Sequence, residues 1–241
     1  MPRGLRHALV DWRGHVFRFG AKSSPRHDPS TGLRLLLIAF LLEGVIGPRL
    51  WILTLFGQPL PPTWLRVPLM LSAALLLVRY WAGLPLSRIG LYRWSEWNST
   101  EKSYFVQTFL IANVIFSVVF ADRLHAIVVG PSLWGRVGLV FATSFLWGFY
   151  QEVMYRGVLQ TELVRRLGSW PGVLAANVLF TFGPLHFYHF HEPASALPMF
   201  AGIFAIGLFF GVLFLKSGNL WMVGIFHGLG DSYIVGLSND A

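Results

Sequence analysis

Residues 149–163 read FYQEVMYRGVLQTEL and follow more than ten residues that are mostly apolar. Gln151, Glu152 and Arg156 therefore stand where lipid would penalise them, since a charge at the centre of a membrane helix costs about 3 kcal/mol on insertion scales. Glu152 and Arg156 are i,i+4 and share a helix face, so an ion pair can neutralise both. Gln151 points about 100° away and can address a different neighbour. Two further apolar runs carry polar groups: VLFTFGPLH ends on His186, and LWMVGIFHGLGD holds His227 and Asp231. His227 and Asp231 are again i,i+4, which lets the carboxylate fix the imidazole tautomer. A buried acid–histidine cluster reached by water suits hydrolysis, in which a base activates water and a donor stabilises the oxyanion.

Other intramembrane chemistries need residues that are missing. A zinc protease needs HExxH, which is absent, and no GxSxG-like elbow lies in an apolar run. Gly228-Leu229-Gly230-Asp231 resembles the GxGD of presenilin-like aspartyl proteases, but Asp11, Asp28, Asp122 and Asp240 are poorly placed to be its second acid. A metal-dependent variant using His186 and His227 is the alternative kept for this set of side chains. His189 and His191 read as interfacial, with a smaller chance that one assists a metal. Glu43, Gln107, Asn113, Glu162 and Asn177 read as polar glue between helices.

Composition says what must position these groups. The chain has 241 residues, of which 54% are hydrophobic and 12% charged, with a mean hydropathy of +0.57. A soluble domain carries about 25% charged residues, so an integral membrane protein is expected. There is no cysteine, hence no disulfide framework, thiolate site or Cys nucleophile. The net charge of +8 lies between apolar runs, which fits membrane orientation better than nucleic-acid binding.

The expected fold is all-α: a polytopic bundle of about seven transmembrane helices, near 33–56, 64–82, 104–121, 137–163, 171–188, 196–215 and 220–237. The first has a kink expected at Gly47-Pro48-Arg49. Residues 1–32 form a basic segment and linker, part of it either an interfacial amphipathic helix or a solvated basic tail, and 33–237 form the membrane domain. Residues 83–103 are a polar loop at an interface. An N-inside, C-outside orientation puts 14 Lys/Arg on the cytoplasmic side and 4 on the other, following the positive-inside rule. Counting about 1.5 Å per residue from the cytoplasmic helix ends, Gln151, His186 and Asp231 lie roughly 17–22 Å deep and His227 about 11 Å. The set can meet inside the bilayer.

These motifs resemble the CPBP intramembrane proteases, also called the ABI or CAAX-protease family. EExxxR is matched by Gln151 to Arg156 with one departure, FxxxH by Phe182 to His186, and HxxxD by His227 to Asp231. The likeness covers about residues 140–235 and includes GLFFGVLFLKSGNLW. It implies a helical bundle in a prokaryotic cytoplasmic membrane that cleaves a membrane-anchored peptide or protein without a cofactor. C-terminal processing is one form of that reaction. By the resemblance, Gln151 occupies the position of the catalytic glutamate, Glu152 and Arg156 match the second acid and its arginine, His186 matches the water-binding histidine, and His227 and Asp231 match the pair that holds the oxyanion or carbonyl.

Glutamine keeps the shape of glutamate but cannot take a proton from water. Three readings of Gln151 follow. It is an engineered isosteric inactivation, which is the favoured one; or it is natural with Glu152 as base; or the chain is a binding or immunity-type relative without catalysis.

Overall fold

The computed structural model describes residues 28–47, 56, 61–130, 134–186 and 193–236. The expected N-terminal amphipathic helix, Pro48 and Arg49 of the expected kink, His189 and His191 lie outside the described residues. Among the described residues every regular element is helical.

Helix α1 begins at Pro29, four residues earlier than the apolar run suggests, because Asp28 caps it. The Asp28 carboxylate accepts from the Thr31 amide at 2.8 Å and from the Ser30 hydroxyl at 2.6 Å. Those donors hold its carboxyl well below the usual carboxylate range. α1 runs Pro29–Ala39 and continues in π-helical winding over Phe40–Ile46. α2 runs Thr63–Leu76 and continues likewise through Leu77–Trp81.

The polar loop that follows contains two short 3-10 turns, Leu86–Ile89 and Trp94–Glu96. α3, Ser99–Val119, opens on a reciprocal capping box: Asn98 Oδ1 accepts from the Glu101 amide and Glu101 accepts from the Asn98 amide, both at 2.8 Å. α4 is Ala121–Val129. α5 is Trp134–Glu152, winds as a π-helix over Val153–Gln160, and passes into α6, Thr161–Leu167. α7 is Ser169–Phe182, α8 Pro193–Ser217 and α9 Leu220–Gly236.

Among the described residues four helices are long and apolar enough to cross a membrane: Pro29–Ile46, Thr63–Trp81, Ser99–Val119 and Ala196–Ser217. The expected count of seven is not reached by that measure, for physical reasons. The 14 residues of α7 reach about 21 Å, short of a hydrocarbon core of about 30 Å. α9 has 17 described residues, and the α5 run is diluted by its own polar groups.

Several helix ends meet at one pole. Arg34 Nη1 donates to the Trp81 carbonyl at 3.0 Å, the Trp221 indole donates to the Tyr92 carbonyl at 2.9 Å, and the Leu220 amide donates to the Gly90 carbonyl at 2.9 Å. Gly90 has φ +93°, and a Cβ there would stand 2.9 Å from the Gly218 carbonyl oxygen, so only glycine fits this junction.

α5 and α9 are the most extensively packed pair. They touch backbone to backbone, since a Cβ on Gly148 would lie 2.9 Å from Gly228 Cα. That crossing sits one turn from Glu152 on one helix and next to His227 on the other. The Ser232 hydroxyl reinforces it, donating toward the Phe141 carbonyl at 2.9 Å and the Gly228 carbonyl at 2.7 Å.

Candidate active site

The close crossing of α5 and α9 places the Glu152 carboxylate against His227. Glu152 Oε1 accepts from His227 Nδ1–H at 2.7 Å, and Glu152 Oε2 lies 3.3 Å from Arg156 Nε. Glu152 and Arg156 are both fully buried, so each charge depends on the other for compensation. The i,i+4 ion pair expected from sequence is thus present.

Asp231 takes a different part from the expected one. Its Oδ1 is 3.6 Å from His227 Nε2, beyond hydrogen-bond distance, while Nδ1 is held by Glu152 from the other helix. The tautomer-fixing carboxylate is therefore Glu152, because the crossing brings it closer than a helical turn brings Asp231. The four side chains form one row across two helices, in the order Arg156, Glu152, His227, Asp231.

His186 does not sit on a membrane helix. α7 stops at Phe182, Gly183 is extended, and the His186 amide donates back to the Gly183 carbonyl at 3.0 Å. Pro184 cannot supply the amide hydrogen that would continue the helix, and it disfavours helical backbone at Gly183. In the resulting turn His186 Nδ1 lies 2.8 Å from the Phe180 carbonyl oxygen. A carbonyl only accepts, so Nδ1 carries a proton, and Nε2 is the basic nitrogen whenever the ring is neutral.

Phe180 gathers the site, and sequence reasoning missed it. Its ring meets His186 edge-on at 5.0 Å, His227 at 6.0 Å and Tyr155 at 5.2 Å between centroids. The Arg156 guanidinium carbon lies 4.6 Å from the Phe180 centroid, a cation–π contact. The motif phenylalanine, Phe182, is half exposed and packs on Phe200 at 5.3 Å. Two residues along a helix turn a side chain by about 200°, so Phe180 and Phe182 point to opposite sides. That turn was the signal that could have found Phe180.

Gln151 is buried at 4% exposure, and its Oε1 has no hydrogen-bond partner among the described residues. Arg156 Nη2 donates to the Gly207 carbonyl at 2.9 Å, and Gln160, one turn on, donates to the Gly211 carbonyl at 2.8 Å. These two bonds clasp α8 to the π-wound segment. Beside the site an apolar groove of about 240 Å³ runs between α1 and α7, with Phe40, Glu43, Tyr155, Leu179, Gly183 and Pro184 in its walls.

The residues expected as glue divide. Asn177 donates to the Phe204 carbonyl at 3.0 Å and Asn113 accepts from the Tyr233 hydroxyl at 3.1 Å, both between helices. Gln107 bonds Ser103 within α3, and Glu162 pairs with Arg165 and Arg166 on its own helix while its carboxylate lies against Gly32 of α1. Glu43 is buried between two tyrosines of α5. Among the described residues no three His, Asp or Glu side chains converge as metal ligands.

No curated protein and no solved structure matches the chain. Residues 131–233 do match a family model, described as Type II CAAX prenyl endopeptidase Rce1-like. The matched stretch spans the Glu152–His227 pair, Arg156, His186 and Asp231, and through it this part of the chain is similar to the CPBP family of membrane-embedded proteases.

Proposed function

We propose that this chain is built as a glutamic-type intramembrane endopeptidase that hydrolyses a peptide bond of a membrane-anchored peptide or protein. The match of residues 131–233 to that family supports intramembrane proteolysis in general. The observation that carries the finer reading is the gathering of two imidazoles on Phe180, one held by Glu152 at 2.7 Å and the other directed by the Phe180 carbonyl at 2.8 Å.

In this reading water is held by His186 Nε2 and by residue 151, and its oxygen attacks the scissile carbonyl carbon. With glutamate at 151 the carboxylate takes the water proton and later returns it to the amine as the C–N bond breaks. His227 polarises the carbonyl from Nε2. To donate there it must carry protons on both nitrogens, with Glu152 accepting on the Nδ1 side. The Asp231 carboxylate, 3.6 Å from Nε2, places negative charge beside the ring that carries both protons. Glu152 serves as the structural carboxylate. To act as base itself it would have to leave both Arg156 and His227, which favours residue 151 for that role.

Gln151 cannot accept the proton, so the chain as written is expected to bind without cutting. The groove beside Gly183 and Pro184 suits an apolar part of the substrate. The cytoplasmic placement of the N-terminus rests on the Lys/Arg asymmetry between the two sides, and a prokaryotic cytoplasmic membrane rests on the resemblance.

One cell-based cleavage assay against candidate membrane-anchored substrates tests this, comparing the chain as written, Gln151→Glu, and Gln151→Glu with His186→Ala. Cleavage by Gln151→Glu alone is the expected result. Cleavage by the chain as written would make Glu152 the base. Activity that survives His186→Ala would overturn the role of His186. Gln151 also favours a second reading, a binding or immunity-type member of the family. Tight capture of a membrane-anchored partner by both the chain as written and the Gln151→Glu variant, without cleavage by either, would select it.

A further inference from the structure

Glu43 stands on α1, far outside the matched residues 131–233, yet it reaches the motif helix. Its Oε1 accepts from the Tyr150 hydroxyl at 2.5 Å and its Oε2 from the Tyr155 hydroxyl at 3.1 Å. Those tyrosines are the chain neighbours of Gln151 and Arg156. Five residues apart on a straight α-helix, their side chains would diverge by about 140°. The π-helical winding that begins at Val153 turns less per residue and brings Tyr155 back toward the side of Tyr150. One carboxylate can then bridge both. The first turn of that winding lies between Glu152 and Arg156, whose side chains meet at 3.3 Å.

We propose that Glu43 is a positioning residue: by bridging Tyr150 and Tyr155 it holds the winding of the motif helix that aims Glu152 at His227. The path is short. The Tyr155 ring meets Phe180 edge-on at 5.2 Å, and Phe180 is the ring on which both imidazoles and Arg156 pack. A tie between α1 and α5 needs one hydrogen bond, whereas two donors straddling Gln151 to Met154 set the register of what lies between them. The kinetic part of the test rests on the proposed protease reading; the spectroscopic part does not.

The full chain, labelled with 15N-histidine in lipid nanodiscs, gives an imidazole Nδ1–H signal for His227 that is assigned by its loss in His227→Gln. Glu43→Leu and Tyr155→Phe are expected to shift or broaden that signal, and Glu43→Gln, which keeps an acceptor of the same size, to leave it closer to the parent. Tyr155→Phe removes a single hydroxyl and carries the test if Glu43→Leu does not fold. An unchanged His227 signal in folded Tyr155→Phe overturns the proposal. In the Gln151→Glu background, Glu43→Leu is expected to lower kcat by about tenfold to a hundredfold with KM changed less than about twofold. A fall confined to KM would make Glu43 a substrate contact and overturn the positioning role. Absence of any cleavage by Gln151→Glu would count against the protease reading alone, since the His227 signal decides the positioning role by itself.

Discussion

The π-wound segment Val153–Gln160 and helix α3 both read from the sequence as membrane segments, yet they are opposites in burial. Every residue of Val153–Gln160 is buried, although it carries Arg156 and Gln160. α3 has one buried residue, Glu101, although it is apolar enough to cross a membrane. Val106, Leu110, Ile111, Val114, Val118 and Val119 of α3 are exposed. In water this would be the reverse of a stable fold. In lipid it is the expected order, because hydrocarbon solvates Leu and Val as well as a protein core does, while charges and amides must find partners inside the bundle.

The contrast is most easily broken at Arg156. Arg156→Met leaves the fully buried Glu152 without its cationic partner and is expected to cost about 3–5 kcal/mol. That loss is read as a lower thermal midpoint in detergent or nanodiscs. A neutral result would mean that His227 alone compensates Glu152.

Next comes the crossing itself. Gly148→Leu must open the α5–α9 contact, where even a Cβ would lie 2.9 Å from Gly228 Cα. Overpacking of this kind costs about 1–3 kcal/mol. It should also lengthen the Glu152–His227 bond, which the His227 imidazole signal monitors. Stability lost without any change at His227 would separate helix packing from site geometry.

On the α3 side the effects should be small. Tyr233→Phe removes the one hydroxyl that bonds Asn113 across to α3, and intramembrane bonds of this type average about 0.6 kcal/mol. The Phe116–Tyr233 stack at 5.0 Å remains in the variant. Smallest of all is Ile115→Ala, at an exposed position, which should stay within about 0.5 kcal/mol in thermal unfolding. A penalty at Ile115 as large as that of Gly148→Leu would mean that α3 is covered by a partner in the membrane.

Much of the candidate site was legible before the fold. Gln151, Glu152, Arg156, His227 and Asp231 announced themselves because a charged or amide group in an apolar run needs a reason. The Glu152–Arg156 pair followed from helical spacing alone. Less legible was His186, expected on a helix and found on the turn after it, where Gly183-Pro184 ends α7. Phe180 was hidden because an aromatic residue in a membrane helix is ordinary until its neighbours are known. Glu43 was read as glue, which describes its bonds to Tyr150 and Tyr155 but not their place beside the motif residues.

By itself the sequence determined the helical membrane character, the polar side chains that stand in apolar runs, and which of them share a helix face. Those properties depend on composition and on a repeat of 3.6 residues, which are local. Only the tertiary structure decided that Glu152, and not Asp231, holds His227, and that Phe180 is the surface on which both imidazoles rest. The reason is physical. Contacts between helices depend on where backbones can approach and at what rotation, and here Gly148, Gly228 and the π-helical winding after Glu152 set both.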